Sequence, residues 1–132
     1  MTVSDLMKIR GSKTIVAADI GDTVGTALEK MKAGQCGSII VFEQTTPAGI
    51  FTEKDYMVKE CDLSTPLRSV MTSKIATASA DSTLLDALHL LANNNIRHLP
   101  ITAFVGDAID EDSRIVDVIS ARDFFTFILA GE

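Results

Sequence analysis

The chain has 132 residues, 46% hydrophobic and 23% charged, with a formal net charge of −6 and no Trp. That length supplies a core for about one domain, and the balance is that of an ordinary globular fold. A nucleic-acid partner would call for a basic footprint and stacking rings, so that class is disfavoured; a small anion is still compatible, because a local cluster of cations outweighs the net charge.

The opening "MTVSDLMKIRG" has no apolar h-region, which predicts no secretory leader. No apolar run approaches the ~20 residues of a membrane span, so no membrane partner is expected. Cys36 and Cys61 form neither a CxxC nor a zinc spacing, the pattern of a reduced, cytoplasmic protein.

In chain order, "TIVA" (14–17) is a short β-prone run. "DTVGTALEKMKAG" carries apolar residues at Val24, Ala27, Leu28 and Met31, the stripe of an amphipathic helix, with Gly34 as its stop. "SIIVFE" and "AGIF" read as strands joined in a hairpin, and "TEKDYMVKE" as a helix opened by Thr52 and Asp55. A second series follows: "IATA", then "DSTLLDALHLLANNN" with its stripe Leu84, Ala87, Leu88 and Leu91, then "HLPITAF", "IVDVI" and "SARDFFTFILA".

The two series are copies of one unit. "TVGTALEKM" lies over "TLLDALHLL", and "CGSIIV" over "IRHLPI", both at an offset of 60. "VSDLM" matches "LRSVM" at 64, and "IFTEKD" matches "VISARD" at 68. The offsets change at presumed loops, the largest insertion being "AFVGDAIDEDSR". We therefore expect an α/β (α+β) chain of two pseudo-symmetric β-α-β-β-α repeats, residues 1–64 and 65–132, packed sheet to sheet. The last helix is apolar on most sides, so it should be covered by the other repeat or by another chain.

The run "VMTSKIATASADSTLLDALHLLANNNIRHLPI", with "VISARD" after it and "GIFTEKD" in the first copy, resembles a tandem pair of cystathionine β-synthase (CBS) domains, the Bateman module. The resemblance covers nearly the whole chain and implies a regulatory binding module rather than an enzyme. It implies an adenine-nucleotide ligand (AMP, ADP, ATP or an adenosyl compound), no required cofactor and no metal. It also implies two sites, each mixing both repeats. One takes Thr52 and Asp55, the strand start Ile75 to Thr77, and Arg97 and His98. The other takes Ser120, Arg122 and Asp123, Thr14 to Val16, and Gly37 and Ser38, with Lys13 as a further donor. A carboxylate accepts from both ribose hydroxyls, and the first turn of a helix favours an anion. The first site ranks higher, because it keeps Gly49 and gains Arg97 and His98, whereas Asp117 replaces the glycine in the second. By the same resemblance we expect a homodimer through the closing helices and a protein partner regulated in trans.

Plainer readings stand beside these. Thr52/Asp55 and Ser120/Asp123 are also helix caps in their own right. Arg97 and His98 also suit a strand start, and His89 receives no role. The loop "GDAIDEDS" lacks calcium-loop order and reads as a solvated acidic hairpin. Ser120, His98 and Asp123 could be assembled on paper as a hydrolase set, but no nucleophile elbow surrounds Ser120. The alternative function is a ligand-free dimerisation or interaction module.

Overall fold

The computed structural model describes residues 1–11, 15–103 and 115–130. Thr14, Lys13 and the acidic loop "GDAIDEDS" lie outside the described residues. The elements run α1 (Val3–Arg10), β1 (Ala17–Asp19), α2 (Val24–Gly34), β2 (Ser38–Glu43), β3 (Thr46–Thr52) and α3 (Glu53–Val58). They continue with α4 (Leu67–Val70), β4 (Ala78–Ser79), α5 (Leu84–Asn93), β5 (His98–Thr102), β6 (Ile115–Ser120) and α6 (Ala121–Ala130). The expected β-α-β-β-α order is present twice, giving a mixed α/β fold.

Each copy builds a three-stranded sheet, ordered β1-β2-β3 and β4-β5-β6, with the first pairing parallel and the second antiparallel. Both antiparallel pairs shift register at matched places, Val41/Phe42 and Ile101/Thr102. The parallel strands start later than "TIVA" and "IATA" suggest, at Ala17 and Ala78. The first of them pairs with β2 in the register Ala17↔Ile40.

The helical stripes pack as their spacing requires. Val24, Ala27 and Met31 are buried with Leu28 against them in one core, and Ala87 and Leu91 with Leu84 and Leu88 in the other. Gly34 does not end α2 through a left-handed turn of its own. That conformation falls on Gln35 (φ 53°), and on its repeat counterpart Asn95 (φ 52°) in the other copy. Gly34 is instead needed for space, since a Cβ there would meet Val16 Cγ2 at 2.6 Å.

Each repeat also opens with a helix that hydrophobic periodicity did not reveal. α4 spans only four residues, and α1 is weakly amphipathic. The chain divides into two compact units that cut across the repeat period: Thr14–Ile75, and Met1–Lys13 together with Ala76–Glu132. We call these the central unit and the split unit. Leu67 and Val70 of α4 complete the central unit's core, and their repeat counterparts Val3 and Leu6 of α1 complete the split unit's core. Each such side chain contributes about 1.5–3 kcal/mol by leaving water. Backbone bonds repeat the exchange: the first amide of α2 donates to Thr65 O, and that of α1 to Ser82 O.

Candidate functional site

Among the described residues the hydroxyl-x-x-carboxylate pattern forms a capping box three times. Thr2/Asp5 opens α1, Thr52/Asp55 opens α3 and Ser120/Asp123 opens α6. In each, the Asp backbone amide donates to the hydroxyl and a carboxylate oxygen accepts the amide at the start of the box. Capping is therefore real at all three and distinguishes none of them. What separates them is the rest of the carboxylate's surroundings.

Asp5 bonds only to Thr2 among the described residues, and the Thr2 backbone amide holds its carboxyl below the ordinary value of 3.8. Asp55 is buried, and its two oxygens divide the work. Oδ2 accepts the Thr52 amide at 3.0 Å, while Oδ1 faces the Thr72 hydroxyl at 3.3 Å and Lys59 Nζ at 3.1 Å. Lys59, four residues on, is the C-cap residue of α3 and also donates to Val70 O at 2.7 Å. Gly49 makes this arrangement possible. A Cβ there would meet both Thr72 O and Met71 Sδ at 2.8 Å, and the paired bonds between Ile50 and Thr72 would be lost.

The split unit solves the same position differently. Asp117 stands where the central unit has Gly49, and Phe127 where it has Lys59. Phe127 packs on the core, so no lysine can serve Asp123 from its own helix. The cation comes from α1 instead. Arg10 Nη1 donates to Asp123 Oδ2 at 3.1 Å and to Val118 O at 3.4 Å, and Nη2 donates to Asp117. The three side chains are 11%, 13% and 7% exposed. Sequence reading missed Arg10, Lys59 and Thr72. One signal was available: an Asp on the inward side of "IVDVI" requires a buried cation, although nothing local says which.

Within each unit the start of the middle strand stands against the box. Ser38 pairs with Thr52, and Gly37 O accepts the Glu53 amide at 3.1 Å. His98 pairs with Ser120, and Arg97 O accepts the Ala121 amide at 2.8 Å. Directly opposed residues share a face of the sheet. Gly37 and Ser38 are thus neighbours of Thr52, and Arg97 and His98 are neighbours of Ser120. Arg97 and Arg122 are exposed and His98 is half-buried. Val16 is half-buried, with its carbonyl held by the Ile40 amide. Ile75 belongs to the central unit and Thr77 to the split unit, both half-buried and outside the named strands. Among the described residues no cluster of His, Cys, Asp and Glu could hold a metal ion, and no helix is long and apolar enough to cross a membrane.

The model of the CBS domain family matches residues 2–59 and 67–130. The chain belongs to the CBS domain family. As a CBS pair it is similar to the mitochondrial CBS domain-containing protein CBSX3 of Arabidopsis thaliana, at 33% identity over 76% of this chain and 55% of that protein. It therefore spans little more than half of that relative's length. The solved CBS domain NE2398 is similar with a TM-score of 0.84 at 26% identity, covering 98% of each chain. The CBS domain protein PAE2072 of Pyrobaculum aerophilum, solved in complex with AMP, shares the fold with a TM-score of 0.76 at 18% identity, covering 100% of both chains.

Proposed function

We propose that this CBS pair is a regulatory module that binds an adenine nucleotide (AMP, ADP, ATP or an adenosyl compound) and signals in trans to a partner protein in the cytoplasm. The observation that carries this reading is the division of labour at Asp55. One oxygen holds the helix cap, and the other already accepts a hydroxyl and an ammonium donor. A ribose diol offers a carboxylate donors of the same kind. It would replace Lys59, whose side chain is 37% exposed and can return to water. The favoured site takes Thr52, Asp55, Ile75, Thr77, Arg97 and His98. The second takes Thr14, Val16, Gly37, Ser38, Ser120, Arg122 and Asp123. The AMP held by a protein of the same fold supports the ligand class. Nothing in this function asks for catalysis.

Titration calorimetry with AMP and with ATP tests it. We expect heat with at least one of them, and a loss of about tenfold or more in affinity when Asp55→Asn weakens the ribose contact. No heat with either ligand would remove the nucleotide reading.

One observation favours a second reading, a ligand-free dimerisation module. α6 buries Phe124 but leaves Phe125, Ile128 and Leu129 exposed, an apolar face suited to an isologous homodimer. Sedimentation of the ligand-free chain tests this reading, which needs a dimer in the absence of nucleotide; a monomer would remove it, and a dimer that gives no heat with either nucleotide would favour it.

A further inference from the structure

We infer that Arg10 is a latch on the Asp123 carboxylate, which a ribose-bearing ligand at Asp123 must displace, so that filling this site loosens the last turn of α1. The inference rests on the nucleotide reading above.

The two ends of α1 are held by different means. Its first turns bury Val3 and Leu6, and its opening amides bond to Ser82 O and Ala80 O. Its last turn has exposed Lys8 and Ile9, and Arg10 ties that turn to β6 and α6. The contact is an ion triad of one guanidinium and two carboxylates, every member largely shielded from water. A guanidinium fork can serve two carboxylates at once, which an ammonium cannot do with the same geometry.

The triad is asymmetric in a way that suits displacement. Nη2 is committed to Asp117, which in turn accepts the Val118 amide at 2.7 Å. Nη1 holds Asp123 at 3.1 Å and Val118 O at 3.4 Å. Arg10 can therefore leave Asp123 without becoming an unpaired buried charge, because Asp117 keeps it. Asp117 is the seat on which the latch swings. In the central unit the competitor for Asp55 is Lys59, the C-cap residue of α3, a more exposed side chain that bonds Val70 O of α4 as well and carries no second carboxylate.

The test uses the Asp55→Asn chain, so that the Asp123 site is read alone, and titrates AMP and adenosine by calorimetry. Arg10→Lys keeps a charge for Asp117 but lacks the fork, and should raise affinity about tenfold. Asp117→Asn removes the alternative seat, confines Arg10 to Asp123, and should lower affinity by a similar factor. Ligand should also speed amide hydrogen exchange in the last turn of α1 in the Asp55→Asn parent. Opposite shifts from the two variants support the latch, because a purely structural role would move both the same way. Shifts of the same sign, no shift, or weaker binding in Arg10→Lys would overturn it while leaving the nucleotide reading intact. If neither this chain nor the unsubstituted one binds either compound, both readings fall.

Discussion

Asp55 and Asp123 occupy matched positions in the two repeats, and each begins as the same capping carboxylate. They differ in where their cation comes from. Asp55 takes Lys59 from the C-cap of its own helix, four residues away, a half-exposed partner with a flexible stem. Asp123 takes Arg10 from α1, more than a hundred residues away in sequence and largely buried. The difference follows from two substitutions between the copies, Gly49 to Asp117 and Lys59 to Phe127. A glycine admits the Thr72 backbone and the Met71 side chain against β3. An aspartate at the matched place demands a buried cation instead. Repetition of sequence thus preserves the cap and leaves the electrostatics free to diverge.

The sharpest way to break this comparison is to remove each cation. Arg10→Met takes the guanidinium away from two shielded carboxylates and should destabilise the chain by about 3–5 kcal/mol in urea unfolding. Adding Asp117→Gly, which recreates the first repeat's residue, should restore part of that loss. Full additivity of the two losses would contradict a shared triad.

Gly49→Ala comes next. Its Cβ meets backbone as well as side chain at 2.8 Å, so relief requires parting β3 from the segment after α4. We expect a loss of about 1–3 kcal/mol by thermal unfolding. Wild-type stability would show that this approach is not tight.

Lys59→Met should have a smaller effect, below about 1 kcal/mol, because its partner bond is partly solvated and screened. A loss equal to that of Arg10→Met would erase the distinction between the two sites.

The smallest effect concerns the third box. The Thr2 amide lowers the Asp5 pKa from 3.8, so the ionised carboxylate favours the folded state. That contribution is present above 3.8 and is lost as pH falls through the lowered folded value. Asp5→Asn should therefore be less stable than the parent at neutral pH, and the gap should close on acidification. A gap that persists at low pH would assign the effect to packing.

Much of this molecule was legible before any coordinates. The repeat, the stripes of α2 and α5, the hairpins and the box starting α3 are written in local spacing, because turn chemistry and hydrophobic period act over a few residues. The box at Thr2/Asp5 was equally readable as a pattern, yet the helix behind it went unseen because it is short and buries only Val3 and Leu6 fully, with Met7 partly buried beside them. The sequence by itself also pointed to Asp55 and Asp123 as special carboxylates, and to Asp117 as a departure.

Only the tertiary structure decided what surrounds them. It placed α1 with the second repeat's sheet and α4 with the first's, which the repeat period does not suggest. It set Arg97 and His98 beside Ser120, and Gly37 and Ser38 beside Thr52. It supplied Arg10 to Asp117 and Asp123 across more than a hundred residues. The reason is physical: a buried charge must be neutralised, but the law that requires a partner is indifferent to where in the chain that partner lies.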